Sequence, residues 1–242
     1  MDSDAASPPV AWITGAAGGL GQSLVEAFLE GGYRVAAAFH RTNPFAPSPN
    51  LHPHPLDVTD EAGVSRAAQE LLERWGRIDL LINNAGITRD GLLASMPEED
   101  WDRVMAVNLG GAAHCSRAVL PAMTRQGGGQ ILNISSFAAR RGHAGQANYV
   151  ASKAGLIGLT QSLARETGRQ NIRVNAILPG VLPGTGMTRD LDPAQLERFA
   201  AGNALGRLNA PGEVARFVRF LATLENVSGQ VFQLDSRVGR WT

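Results

Sequence analysis

Cysteine is almost missing from this chain of 242 residues: Cys115 stands alone. A single thiol excludes an intrachain disulfide and a cysteine-based zinc site, and it fits a reducing compartment, so a cytoplasmic protein is expected. Charge of one sign is not in excess either, because Lys and Arg total 22 and Asp and Glu total 22. That balance leaves no broad electrostatic footprint for nucleic acid or an anionic membrane. No run reaches the roughly 18 uninterrupted apolar residues that a membrane-spanning helix needs. Residues 1–9 are polar, carry Asp2 and Asp4, and lack the basic and apolar regions of a secretory leader. Residues 1–8 read as a frayed start.

What the chain does have is alternation. Apolar strand-like runs take turns with helix-length amphipathic segments over 1–242, the pattern of one α/β domain with a doubly wound parallel sheet covered on both faces. Seven strands are predicted: Val10–Thr14, Arg34–Phe39, a short one at Pro55–Asp57, Ile78–Asn83, Gln130–Ser135, Arg173–Leu178 and Gln230–Leu234. Helical spacing marks Leu20–Glu30, Glu61–Trp75, Glu98–Met123, Tyr149–Arg169 and Gly212–Thr223.

One segment breaks this rhythm. Thr42 to Pro55 holds Pro44, Pro47, Pro49, Pro53 and Pro55, a density that forbids a helix, so the second crossover is expected to be a loop. His52 and His54 lie in it without a neighbouring carboxylate or cysteine, which reads as a solvated loop. No metal site is assigned.

The first strand runs into a glycine-rich turn, Thr14, Gly15, Ala16, Ala17, Gly18, Gly19, Leu20 and Gly21, and then into a helix. Glycines let the backbone approach a pyrophosphate, and free amides at the helix start bind the anion, so this is a candidate dinucleotide cradle. At the end of the second strand an acid would hold a ribose 2′-hydroxyl, whereas positive charge accommodates a 2′-phosphate. Phe39, His40 and Arg41 stand there with no acid among them, which favours NADPH over NADH.

Further along, Tyr149 and Lys153 are four residues apart in a predicted helix and share one face. A phenol ordinarily titrates near pH 10, and a neighbouring ammonium favours the phenolate, which brings it toward use as a general acid or base. Such a pair alone is commonly an ordinary surface feature; a serine pair and a phosphate cradle upstream give it a chemical context.

With Thr14-Gly15-xxx-Gly19-x-Gly21, Asn83-Asn84-Ala85-Gly86, Asn108, Ser136, Tyr149 and Lys153 in this order, the chain resembles the short-chain dehydrogenase/reductase family over nearly its whole length. Within it the chain looks most like the 3-oxoacyl-(acyl-carrier-protein) reductases, through Asn83 to Asp90 and through Gly145-Gln-Ala-Asn-Tyr149 to Glu166. The resemblance implies a single Rossmann-type domain and a homotetramer built on the two long helices and the C-terminal strand. It implies that Gly15 to Gly21 cradle the cofactor phosphates, with His40 and Arg41 near the 2′-phosphate and Asp57 and Val58 at the adenine. Asn84, beside Ala85 and Gly86, would line the ribose side. Past Pro179 and Gly180, Leu182 would bind the nicotinamide carboxamide through its backbone, helped by Thr185. Asn108 would hold a water that links Lys153 to solvent.

Counting back thirteen residues from Tyr149 selects Ser136 over its neighbour Ser135 as the family's catalytic serine. The implied reaction is hydride transfer to a carbonyl. Ser136 would hydrogen-bond the substrate oxygen, Tyr149 would supply the proton, and Lys153 would bind the nicotinamide ribose and lower the Tyr149 pKa.

The chain also departs from the pattern. Gly18 stands where many NADPH-using relatives carry arginine, and two extra glycines near Pro179 to Thr188 loosen the expected substrate lid. The basic positions by which relatives dock acyl carrier protein fall on Gly127 and Gln170, with Arg125 and Arg169 close by. Coenzyme A thioesters or free ketones are therefore alternative substrates, and a non-catalytic partner subunit is a third reading. The ending, Leu234-Asp-Ser-Arg-Val-Gly-Arg-Trp-Thr, differs from the glycine-rich one common in relatives; Trp241 is either an anchor on a neighbouring subunit or part of a frayed tail.

Overall fold

The computed structural model describes residues 7–189 and 191–238. The expected frayed start lies mostly outside them, and Trp241 lies wholly outside. Among the described residues seven strands form one parallel sheet: β1 (Val10–Ile13), β2 (Arg34–Phe39), β3 (Leu51–Pro55), β4 (Leu80–Asn83), β5 (Gly129–Ile134), β6 (Ile172–Leu178) and β7 (Val231–Gln233). Their order is β3-β2-β1-β4-β5-β6-β7. The order reverses between β1 and β4, and such a switch point opens a crevice at the carboxyl ends of the strands.

Burial on both faces explains the strand sequences. β1 and β4 are buried at every position, with side chains pointing alternately to the two sides. On one side Ala11 and Ile13 meet α1 (Gly19–Glu30) and α8 (Pro211–Ala222) through Leu24, Phe28, Val214 and Leu221. On the other, Trp12 and Leu81 meet α2 (Glu61–Trp75), α4 (Gly111–Arg125) and α6 (Ala147–Thr167) through Leu71, Val119, Met123 and Leu163. Each large apolar side chain buried this way contributes about 1.5–3 kcal/mol.

The third strand is not where the sequence pattern put it. It spans Leu51–Pro55, inside the proline-rich segment, rather than Pro55–Asp57. β3 is the edge of the sheet, and an edge tolerates residues that cannot donate a ladder bond on their outer side. Proline density therefore excluded a helix there but not an edge strand. The two histidines are corrected with it, because they belong to this strand and not to a solvated loop. His54 is 7% exposed and its Nε2 accepts the indole N–H of the fully buried Trp12 at 3.2 Å. Burial pushes its pKa down to about 4.

That depression makes acid stability testable. The unfolded chain, with histidine near pH 6.5, takes up a proton before the folded one does, so stability is complete above about pH 6.5 and declines as pH falls toward 4. The full effect is on the order of 3 kcal/mol. Urea midpoints for the wild type should drop between about pH 7 and about pH 4.5, and His54→Gln, whose amide oxygen still accepts the indole N–H, should flatten most of that slope. An equal slope in the variant would assign the acid sensitivity to other groups.

The long helix expected over Glu98–Met123 is three pieces: α3 (Glu98–Met105), a π-helical turn at Ala106–Gly110, and α4. The wide turn surrounds Asn108 and re-aims its side chain out of the helix line. Gly111 then passes so near Val58 that a Cβ at this position would lie 2.8 Å from the valine Cβ. Two short helices were not read from sequence, α5 (Ala138–Arg141) and α7 (Pro193–Ala201), the latter opened by a capping box between Asp192 and Gln195. Among the described residues no helix is long and apolar enough to cross a membrane.

Candidate active site

The predicted site residues gather at the carboxyl ends of the central strands: Thr14 and Gly15 after β1, Asn84 to Gly86 after β4, Ser136 after β5 and Pro179 after β6. Gly15 has φ of +62°, and a Cβ on it would stand 2.7 Å from the Ala85 Cα. Gly19 is pressed against Thr185, whose Cγ2 lies 2.8 Å from where a Cβ would be. A Cβ on Gly21 would press closer still on the Gly15 carbonyl. Gly18 starts α1 in extended conformation without a side-chain cap, which leaves first-turn amides turned toward the crevice. Leu20 contributes only backbone there, since its side chain is buried in the core, and the Ala17 carbonyl accepts the Gln22 amide at 2.8 Å. This cradle suits a pyrophosphate: positive φ, close backbone approach and unspent amides coincide at one helix N-terminus.

Asn84 does something more structural than line a ribose. Its Nδ2 donates to the carbonyls of Thr14 and Gly15 at 3.1 and 3.0 Å, while the Thr14 hydroxyl oxygen accepts the amides of Asn84 and Ala85, both at 3.1 Å. The β4 turn thus pins the glycine turn. Gly15→Ala should therefore fail twice. The left-handed backbone alone costs about 1–2 kcal/mol, and the clash with Ala85 adds to it. A thermal-unfolding midpoint well below wild type, with weakened NADPH binding by fluorescence titration, is the expected result; unchanged binding would show that the turn is not the phosphate cradle.

At the adenosine end, Arg41 is exposed and His40 Nε2 lies 3.6 Å from Asp57 Oδ2. Burial raises the Asp57 pKa, but hydrogen bonds from the Thr59 hydroxyl and amide outweigh it, with His40 and Arg103 adding to them, so the carboxylate ends below its ordinary value. Val58 is buried against Gly111 and its carbonyl bonds the His114 ring. Beyond Pro179 and Gly180, Leu182 is buried and its carbonyl accepts the hydroxyls of Thr185 and Thr188, which shapes the start of the lid.

The groups predicted to react meet beside this cradle. Tyr149 and Lys153 share one face of α6, with Lys153 Nζ 5.8 Å from the Tyr149 ring centre. Ser136 lies beside the Tyr149 phenol and favours its ionised form, and its Oγ accepts the Ala138 amide at 3.2 Å. Ser135 is buried and its hydroxyl donates to the Lys153 carbonyl at 2.7 Å, so it braces the helix, whereas Ser136 lies on the phenol side. Lys153 is the only lysine in the chain and is 3% exposed. Its ammonium donates to the Ile134 carbonyl at 2.8 Å, and burial lowers its pKa to about 8.

Two expectations change here. The phenol of Tyr149 is raised above its ordinary value, because burial outweighs the opposing Ser136 hydrogen bond, and Asp90 pushes the same way as burial. Lys153 does not lower it in this arrangement, since its ammonium is turned to Ile134. Asn108 does not keep its side chain for water: Oδ1 accepts the Ile87 amide at 2.8 Å, and Nδ2 donates to the Ile87 carbonyl and the Ser152 hydroxyl, both at 3.0 Å.

Sequence reading missed Ser152, whose hydroxyl accepts from Asn108 and donates to the Tyr149 carbonyl at 2.7 Å. Its place between Tyr149 and Lys153 was the available signal. It also missed Asn148, whose amide donates to the Arg89 carbonyl at 3.0 Å and fastens the β4 segment beside Tyr149. Gly86 forms the floor: a Cβ there would lie 3.3 Å from Lys153 Nζ and 3.4 Å from Asn108 Oδ1.

A nucleotide cradle at the switch point, with a serine, a tyrosine and a buried lysine beside it, agrees with what known proteins show. The short chain dehydrogenase family model matches residues 9–196. The chain belongs to the short-chain dehydrogenase family. It is therefore an oxidoreductase of CH–OH and C=O groups that uses a nicotinamide dinucleotide. The chain is 41% identical over 237 residues to the 3-oxoacyl-(acyl-carrier-protein) reductase of Thermotoga maritima, covering 93% of this chain and 96% of that one. It is 39% identical to the protein of that name from Vibrio cholerae and 38% to that from Escherichia coli, each over 221 residues, 89% of this chain and 90% of theirs.

Proposed function

We propose that this short-chain dehydrogenase reduces 3-oxoacyl groups on acyl carrier protein to 3-hydroxyacyl groups with NADPH. The observation that carries the reading is the Ser136–Tyr149–Lys153 cluster beside the glycine cradle, in a chain similar to such reductases over nine-tenths of its length. Arg41 and the absence of an acid at the end of β2 support NADPH over NADH. His40 is partly engaged by Asp57, so Arg41 is the freer cation for a 2′-phosphate.

The bound nicotinamide supplies a hydride. Everything else is done by this chain. Ser136 donates to the substrate oxygen where negative charge develops, and a positioned donor of this kind acts most strongly where water is excluded. Tyr149 delivers the proton to that oxygen. Its raised pKa keeps the phenol protonated and ready at neutral pH, and Ser136 favours the phenolate that remains. Asn108 and Ser152 hold the π-turn against α6 and so fix the spacing of Tyr149 and Lys153.

Arg125 and Arg169, both exposed, sit at the carboxyl ends of α4 and α6, the opposite end of the sheet from Ser136. In the homotetramer proposed here these arginines are the basic groups offered to a carrier protein. Incubation with a 3-oxoacyl thioester and NADPH deuterated at nicotinamide C4 tests the chemistry. Label at C3 of a 3-hydroxyacyl product is expected; unlabelled or unreduced thioester would reject the reading.

A further inference from the structure

Residues 234–237 are built into the same end of the sheet as Ser136. After β7, Leu234 continues the ladder by donating to the Leu178 carbonyl, and residues 233–237 then fold into a tight turn. Asp235 Oδ1 accepts the Gln233 side-chain amide at 2.8 Å, and the same amide donates to the Arg237 carbonyl at 2.8 Å. The Asp235 side chain, 3% exposed, packs on Gly180, where a Cβ would stand 2.8 Å from its own. Ser236 takes the amides of Ala204 and Leu205 behind α7, at 3.0 and 3.1 Å. Asn209 Nδ2 spans the carbonyls of Pro179 and Leu234 at 2.9 and 3.1 Å.

Arg237 joins this strap to the other wall. Its Nε donates to Asp235 Oδ2 at 2.6 Å and its Nη2 pairs with the same carboxylate. Its guanidinium carbon stands 3.9 Å from the centre of the Phe137 ring, with Arg141 farther off at 5.6 Å. A planar cation at that distance over an aromatic face is attracted to it, and the ion pair fixes the orientation of the plane. Phe137 is the residue after Ser136.

We infer that Arg237 is a positioning residue: clamped between Asp235 and Phe137, it fixes the Ser136 hydroxyl relative to the Pro179–Gly180 turn. The inference rests on the assignment of Ser136 to the substrate oxygen. No chemistry passes through Arg237 itself. The strap explains how a loop serine between β5 and the short α5 keeps its place across the crevice from the β6 turn.

The test compares wild type, Ser136→Ala, Arg237→Met, Phe137→Leu and the double variant Asp235→Asn/Arg237→Met, which leaves no unpaired carboxylate if Arg237→Met folds poorly. Hydrogen–deuterium exchange of the cofactor-free proteins should show faster exchange over 136–142 in Arg237→Met and Phe137→Leu, with β1 and β4 unchanged. kcat should fall about tenfold in both, less than the hundredfold that an ångström of misplacement can cost, with NADPH binding within about twofold of wild type. The deuterium isotope effect on kcat should rise toward its chemical limit. Normal exchange and kcat in either Arg237→Met (or the double variant, if the single fails to fold) or Phe137→Leu would overturn the clamp. Wild-type activity in Ser136→Ala would instead reject the serine assignment on which it rests.

Discussion

Tyr149→Phe should lower kcat by about 10³-fold while NADPH binds as before, because the substitution removes one oxygen and leaves the ring in place. Proton transfer by a positioned side chain is worth about 10²–10⁴-fold. Here the phenol is the only group with Ser136 on one side and the Lys153 ammonium over its ring. The ring of phenylalanine fills the same space on α6, so the cradle around Gly15 and Gly19 should not move. Steady-state turnover and a fluorescence titration of NADPH, on the same preparation, separate the two effects. A variant that turns over normally would remove Tyr149 from the chemistry; one that loses cofactor binding would make it a structural residue.

Lys153→Arg should be nearly as damaging, although it keeps the charge. The chain uses arginine at every one of its other basic positions, and Lys153 alone is lysine among 22. The pocket gives the reason. The ammonium donates to the Ile134 carbonyl at 2.8 Å and lies against Gly86, where even a methyl group would come within 3.3 Å. A planar guanidinium is too wide for this space, and its five donors would not all find acceptors. Loss of a preorganised charge at the reacting centre costs on the order of 10²–10³-fold, and kcat/KM should fall by that much, with weakened NADPH binding. Amine-directed labelling read by mass spectrometry gives a direct check on the site. Burial holds the Lys153 pKa near 8, so labelling should rise as pH climbs through that value and be blocked by NADP. Labelling indifferent to cofactor would place the lysine away from the nucleotide.

Both residues were legible in the sequence because helix geometry is local: four residues is one turn, and the face follows. The glycine cradle was legible for a similar reason, since Gly15 to Gly21 fall between a strand and a helix in unbroken order. What escaped depends on contacts between distant segments. The proline-rich stretch has the composition of a loop, yet pairing with β2 at the sheet edge makes Leu51–Pro55 a strand and buries His54 under Trp12. The π-turn at Asn108 arises from bonds to Ile87 and Ser152, residues 21 and 44 positions away. The lowered Tyr149 pKa was inferred from spacing alone, and spacing does not show that the ammonium turns to Ile134 or that burial dominates the phenol. Ser136 and Ser135 were separated only by counting; the bond from Ser135 to the Lys153 carbonyl, and the place of Ser136 beside the phenol, supply the physical difference.

The most direct measurement is the loss of reduced-nicotinamide absorbance when purified protein meets a short 3-oxoacyl group on acyl carrier protein, the same group on coenzyme A, and a simple ketone. NADPH and NADH are each supplied, with Tyr149→Phe as control. NADPH-dependent turnover fastest on the carrier-protein thioester, and abolished in the variant, is the predicted result. Turnover confined to simple ketones, or thioester reduction that survives Tyr149→Phe, would contradict it.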